Sequence, residues 1–237
     1  MNVIFLDTET TGLAADSKLV QLGYKFPNTE DGINLLFKPP VEISYGSMAV
    51  HHITAEMVAD KESFVGSETK KDLEKVLEEN ILVAHNAPYD INILKNESVT
   101  VNKFIDTLSV ARHLVDSPEH KLQYLRYFLK LNVKADAHDA WGDILVLEKL
   151  FDYLVDLIKN KFSLNEDVQI LDKMIELTTM PVLLSEFSFG KYRGSAFAAI
   201  AESDSGYLNW LYNSETQKKE IDQNRDLVYT LKNYLKI

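Results

Sequence analysis

The chain contains no cysteine. Disulfides and thiolate metal sites are therefore excluded, and a reducing compartment, the cytoplasm, is the expected location. There is no run of eighteen apolar residues, and no basic segment followed by an apolar one at the N-terminus. Neither a membrane span nor a signal peptide is expected. Positive charge is scarce as well: 25 Lys and Arg stand against 36 Asp and Glu, for a formal net charge of -11. That excludes coating nucleic acid by bulk charge. It leaves room for an enzyme that touches a few phosphates through metal ions and local basic residues. Internal repeats and low-complexity tracts are also missing.

What is present is ordinary for a globular chain. The 237 residues are 46% hydrophobic and 26% charged, enough for a sizeable core without covalent staples. "VIFLDTET" reads as a strand, followed by a turn at "TTGL". "LVQLGYKF" and "INLLFKPP" read as two more strands joined by "PNTEDG". "ITAEMVAD" is a short helix with Thr54 as its N-cap, and "SETKKDLEKVLEE" is an amphipathic helix. "NILVAH" suits a buried parallel strand, and "APYDINILKN" suits a helix with Pro88 in its first turn. "KFIDTL" is a strand with a helix behind it through Arg112. "KLQYLRYFLKL" and "DILVLEKLFDYLVDLIKNKF" are helical. Three early strands followed by alternating helices and strands indicate a mixed α/β sheet. The expected division is a domain over 1–160, a helical connector over 161–180 and a small C-terminal module over 181–237.

Asp7 and Glu9 lie two apart at the end of an apolar strand, on the face shared with Val3 and Phe5. Two neighbouring anions there repel and lose solvation, and a cation would relieve both costs. Asp90 follows the "ILVAH" strand, and Asp143 opens the longest helical pattern. His138 stands five before Asp143. Five helical residues turn about 500°, leaving the two side chains roughly 140° apart, so His138 is expected on the loop leading into the helix. Four carboxylates suit a pair of hard divalent ions about 3.5–4 Å apart, the arrangement that hydrolyses phosphodiesters. His138 suits the role of general base. Asp139 reads as a solvated or capping neighbour, and Asp106 as a helix cap.

The stretches "DTETTGL", "AHNAPYD" and "HDAWGD" together resemble the three motifs of the DEDD 3′–5′ exonuclease superfamily. Position 139 is Asp, not Tyr, so the resemblance is to the DEDDh branch. It implies a ribonuclease-H-like fold, a five-stranded mixed sheet flanked by helices, and two Mg²⁺ or Mn²⁺ ions held by Asp7, Glu9, Asp90 and Asp143. "SMAVHHITAEMVADK" looks like the stretch lining the 3′-terminal nucleotide in bacterial members. Thr10, Gly12, Leu13, His51, Asn86 and Tyr89 are the implied substrate contacts. For His51 the alternative is packing beside Ile53; for Tyr89 it is packing under the site.

The tail "FSFGKYRGSAFAAIAESDSGYLNWLYN" is similar to that of the bacterial exodeoxyribonuclease X group, which favours DNA 3′ ends, single-stranded or duplex, as partner and a nucleoside monophosphate as product. "GKYRG" lacks the spacing of a phosphate-binding P-loop. Two readings of it stay open. Lys191, Tyr192 and Arg193 form a phosphate-and-stacking platform, or a glycine-bounded hairpin packs its aromatics into a small core. RNA 3′ exonuclease activity on the same core, and a non-catalytic end-binding module, are the alternative functions.

Overall fold

The computed structural model describes residues 2–133, 140–219 and 223–237. The chain divides into two compact units, Met1–Thr178 and Thr179–Ile237. In the first, β1 (Val3–Thr10), β2 (Leu19–Lys25) and β3 (Gly32–Leu36) precede α1 (Tyr45–His51), α2 (Ala55–Val58) and α3 (Glu68–Glu79). β4 (Ile81–Ala84), α4 (Ala87–Asn96), β5 (Phe104–Asp106) and α5 (Thr107–Leu114) follow, then α6 (Leu122–Phe128), α7 (Ala140–Phe162) and α8 (Asp167–Thr179). The strands form one sheet in the order β3-β2-β1-β4-β5. β2 is antiparallel to both its neighbours, while β4 and β5 run parallel with β1. This is the mixed five-stranded α/β sheet expected.

Strand alternation divides β1 between two cores. Val3 and Phe5 face a core built with α5, α7 and α8, whereas Ile4 and Leu6 face one built with α3 and α4. Phe5 meets Phe151 of α7 edge-on, with ring centroids 5.3 Å apart. Burying each ring contributes about 1.5–3 kcal/mol. Gly23 of β2 pairs with Asp7, and a Cβ there would lie 2.7 Å from Ile144 Cδ1 and 3.1 Å from Ala140 Cβ. Its missing side chain is what lets the N-terminal turn of α7 close on the sheet beside Asp7. One turn further along, a buried Lys25 donates to Glu148 of α7 at 2.8 Å, and Glu148 also accepts from Asn28 N at 2.7 Å. Truncating either member would leave a buried charge without its partner.

Three local features differ from, or add to, the sequence reading. "YGSMAVH" is a helix, α1, where none was expected. Ser44 Oγ accepts from Ser47 N at its start, and His52, with φ 60° in the left-handed region, ends it. Thr54 occupies the N-cap position of α2 but makes no side-chain cap bond. The segment read as a connector contains α8, whose Ile170, Leu171, Met174 and Leu177 are buried in the core shared with α7.

In the second unit, Glu186 and Ala196 form an antiparallel bridge that closes a hairpin over "FGKYRG". Gly190 at φ 68° and Gly194 at φ 81° allow its turns. Helices α9 (Phe197–Ser203), α10 (Ser205–Thr216) and α11 (Arg225–Leu235) enclose a separate core containing Phe187, Phe197, Leu208 and Leu231. Among the described residues no helix is long and apolar enough to cross a membrane.

Candidate active site

The end of β1 leaves the protein core gradually. Asp7 and Glu9 are half-buried, while Thr8 and Thr10 between and beyond them are buried. Asp143 lies in the first turn of α7, where the helix dipole favours an anion. With α7 seated over Gly23, carboxylate oxygens of Asp7, Glu9 and Asp143 come within 4.8 Å of one another. Three like charges this close need a compensating cation, and three hard oxygen donors suit a divalent ion. The site fits a divalent metal.

Asp90 is placed differently. It lies in the first turn of α4 and is buried, outside the group of three. By strand alternation Thr8 faces the α4 side, and its hydroxyl donates to Asp90 Oδ1 at 2.7 Å. Burial pushes the Asp90 carboxyl up to about 7, against the lowering effect of the Thr8 hydroxyl. His138 and Asp139 lie outside the described residues.

A pocket of about 410 Å³ adjoins the acids and is lined by Glu9, Thr10, Leu13, His51 and Tyr89 together with residues of α1. Gly12 closes a small triangle behind it. Its carbonyl accepts from Thr10 Oγ1 at 2.9 Å and from Tyr89 Oη at 3.0 Å, and those two hydroxyls are 2.6 Å apart. The hydroxyl of Tyr89 thus pins the "TTGL" turn, and burial raises its pKa. His51 lines the pocket and is bonded to the backbone on both sides of its ring. Ile53 N donates to Nδ1 at 3.0 Å, which leaves Nε2 to carry the proton toward Thr10 O at 3.2 Å. Burial lowers the pKa of His51, so it lines the pocket as a neutral ring. Leu13, 90% exposed, offers an apolar edge.

Asn86 is not brought to this pocket. It starts α4 at φ 71° and lines a second cavity of about 530 Å³ with His85, Arg112 and His120. Asp106 is a cap, as read. Its side chain accepts from Leu108 N at 3.1 Å and also from Asn86 N at 2.8 Å, tying the starts of α4 and α5 together.

Two groups escaped the sequence reading. Ser44 and Gly46 line the same pocket beside Ser47 and Val50 of the stretch singled out in the sequence, and the helix α1 that Ser44 caps was not expected. Gln123 of α6 donates from Nε2 to Asp143 Oδ1. Arg126 Nη1 donates to Gln123 Oε1 at 3.1 Å, which orients the amide so that its NH₂ faces the carboxylate. "KLQYLRYFLKL" reads from its sequence only as a helix; a glutamine on the flank of an otherwise apolar and basic helix was the available signal.

In the second unit, Lys191 Nζ sits 3.4 Å from Asp204 Oδ2 and 4.6 Å from the ring centre of Tyr192. Tyr192 Oη donates to the same Asp204 oxygen at 2.6 Å. Arg193 is exposed, with no side-chain partner among the described residues.

Comparison with known proteins agrees with this geometry. An exonuclease family model matches residues 4–151. The chain belongs to that exonuclease family. A model of the exodeoxyribonuclease X-like C-terminal region matches residues 187–215. The chain is 31% identical to exodeoxyribonuclease 10 of Escherichia coli K12, with 97% of each covered. It is 29% identical to the DNA polymerase III subunit epsilon of Buchnera aphidicola subsp. Acyrthosiphon pisum, over 62% of this chain and 70% of that one. Among solved structures, exonuclease X in complex with 5′ overhanging duplex DNA superposes with a TM-score of 0.59 at 25% identity. That match covers 74% of this chain and 99% of the other.

Proposed function

We propose that the protein is a metal-dependent 3′–5′ exodeoxyribonuclease that releases nucleoside 5′-monophosphates from DNA 3′ ends. The observation that carries this reading is the approach of Asp7, Glu9 and Asp143 within 4.8 Å beside a nucleotide-sized pocket that Glu9 also lines. We assign two Mg²⁺ or Mn²⁺ ions to Asp7, Glu9, Asp90 and Asp143. When bound, such ions lower the pKa of a coordinated water and offset charge on the phosphate.

The chain's own residues supply the rest. The pocket takes the terminal nucleoside, with Leu13 as its apolar edge and the turn held by Tyr89 and Thr10. His51 is neutral and committed to backbone partners, so it shapes the pocket without adding charge. Gln123 holds the Asp143 carboxylate in one orientation. His138, by its spacing from Asp143, is assigned the proton of the attacking water. DNA as substrate is favoured by the exodeoxyribonuclease relatives and by the DNA-bound structural neighbour.

Polarity is the test. A 5′-labelled oligodeoxynucleotide with Mg²⁺ should give a ladder shortening from the 3′ end. The same strand with a 3′-terminal phosphorothioate should resist. Release of 5′-terminal nucleotides first, or internal cuts, would refute the assignment. An RNA strand of the same sequence decides the substrate class.

A further inference from the structure

Helix α6 of the first unit, with the residues flanking it, carries exposed aromatic and basic side chains. Resting on the exonuclease reading, we propose that its outer face is the landing platform for the single strand whose 3′ end enters the site.

The first observation is charge. From His120 to Ala135 the sequence holds no acidic residue, yet it contains Lys121, Arg126, Lys130 and Lys134, in a chain of net charge -11. Among the described residues Arg126 and Lys130 make no ion pair; Lys121 lies 3.3 Å from Glu119.

The second observation is exposure. Leu125 faces the core, with Leu122 and Leu129 packed beside it. The opposite side presents Tyr127 at 73%, Phe128 at 45% and Tyr124 at 36% exposure. Tyr124 and Phe128 stack with centroids 5.9 Å apart, and Arg126 lies over the Tyr127 ring at 5.3 Å. Leaving Tyr127 largely in solvent gives up most of a burial worth about 1.5–3 kcal/mol, and Tyr124 and Phe128 forgo part of theirs. Arg126 is held by Gln123 Oε1 and Val133 O, and Lys130 stays exposed with no ion pair among the described residues. Aromatics beside such a cation are what a flexible strand of stacked bases and phosphates requires.

The third observation is the tether to the site. Gln123 donates to Asp143 from the same helix. Tyr127 stands one turn, about 6 Å, further along on the same flank. A strand crossing Tyr127 is therefore led toward the carboxylate that Gln123 orients. The second unit also exposes aromatics, Phe189 on the hairpin and Trp210 on α10, but the hairpin's Lys191 and Tyr192 are engaged by Asp204.

The experiment uses the full chain. An oligodeoxynucleotide carrying 5-iodouracil is photo-cross-linked to the wild-type protein in EDTA, and the adducts are mapped by mass spectrometry. Adducts on Tyr124, Tyr127 or Phe128 are expected; adducts confined to residues 179–237 would overturn the proposal. In parallel, Tyr127→Ser with Lys130→Gln changes only exposed side chains. Its affinity for oligo-dT in EDTA should fall about tenfold or more, and its log–log salt slope should become shallower by about 0.7. Turnover of thymidine 5′-(4-nitrophenyl) phosphate with Mg²⁺ should stay within about twofold of wild type. Unchanged affinity and slope would overturn the platform. A wild-type protein that turns over neither the ester nor any oligonucleotide would instead refute the nuclease reading itself.

Discussion

Helix α6 and the hairpin of the second unit are both aromatic and basic in sequence, and they differ in how many of those residues are engaged, Arg193 being the hairpin's exposed exception. In the hairpin, Phe187 stacks on Phe197 with centroids 3.8 Å apart, and Asp204 engages both Lys191 and Tyr192. In α6 the aromatics face outward, and two of the cations are left without an acidic partner among the described residues. The charge background differs too. Residues 179–237 contain seven basic and seven acidic side chains, so the whole net charge of -11 rests on the first unit. A basic patch counts most where its surroundings are acidic, since it then marks the path a polyanion can take. A basic and aromatic sequence signal is thus ambiguous until burial and counter-charge are known.

The contrast can be broken from either side. Asp143→Asn should give the largest effect. Removing a residue that merely supports a metal ligand costs 10–100-fold, so losing the ligand should reduce turnover of the nucleotide ester to below about one hundredth. Thermal melting should hold or rise, because like-charge repulsion is relieved. Phe187→Ala should do the reverse. It removes about 3–5 kcal/mol from a small core, so the second unit should become protease-sensitive while ester turnover persists. If Phe187→Ala abolished ester turnover, the division of labour between the units would be wrong.

The next effect concerns pH. The Asp90 carboxyl, near 7 when folded and near 3.9 in an unfolded chain, keeps its proton in the native state between those values. The metal-free protein should therefore be most stable below about pH 4 on this account and lose that contribution, on the order of 4 kcal/mol, as pH rises through 7. Urea midpoints in EDTA at pH 5 and pH 7.5 should show the drop, and Asp90→Asn should flatten it. The smallest effect is at the end of α1. His52 sits at φ 60°, where glycine fits without strain. His52→Gly should stabilise by about 1 kcal/mol and raise the melting temperature by about 2–4 °C.

Much of this was legible in the sequence. Alternation along "VIFLDTET" placed Asp7 and Glu9 on the α7 face, and the long helical pattern from Asp143 identified the element that meets them. Other features were not legible, for physical reasons. The exclusion of Asp90 from the close trio depends on Thr8, whose role follows from the pairing of β1 with α4 and not from any local pattern. α1 has seven residues, about two turns, too few to show periodicity. Gln123 acts across twenty residues of sequence, and only the docking of α6 on α7 brings it to Asp143.

The most direct measurement is ester turnover against divalent ion. Protein stripped with EDTA and dialysed should not hydrolyse thymidine 5′-(4-nitrophenyl) phosphate. Added Mg²⁺ or Mn²⁺ should restore turnover along a saturable curve, and Asp7→Asn should abolish that curve. Equal turnover in excess EDTA would contradict a metal site at Asp7, Glu9 and Asp143.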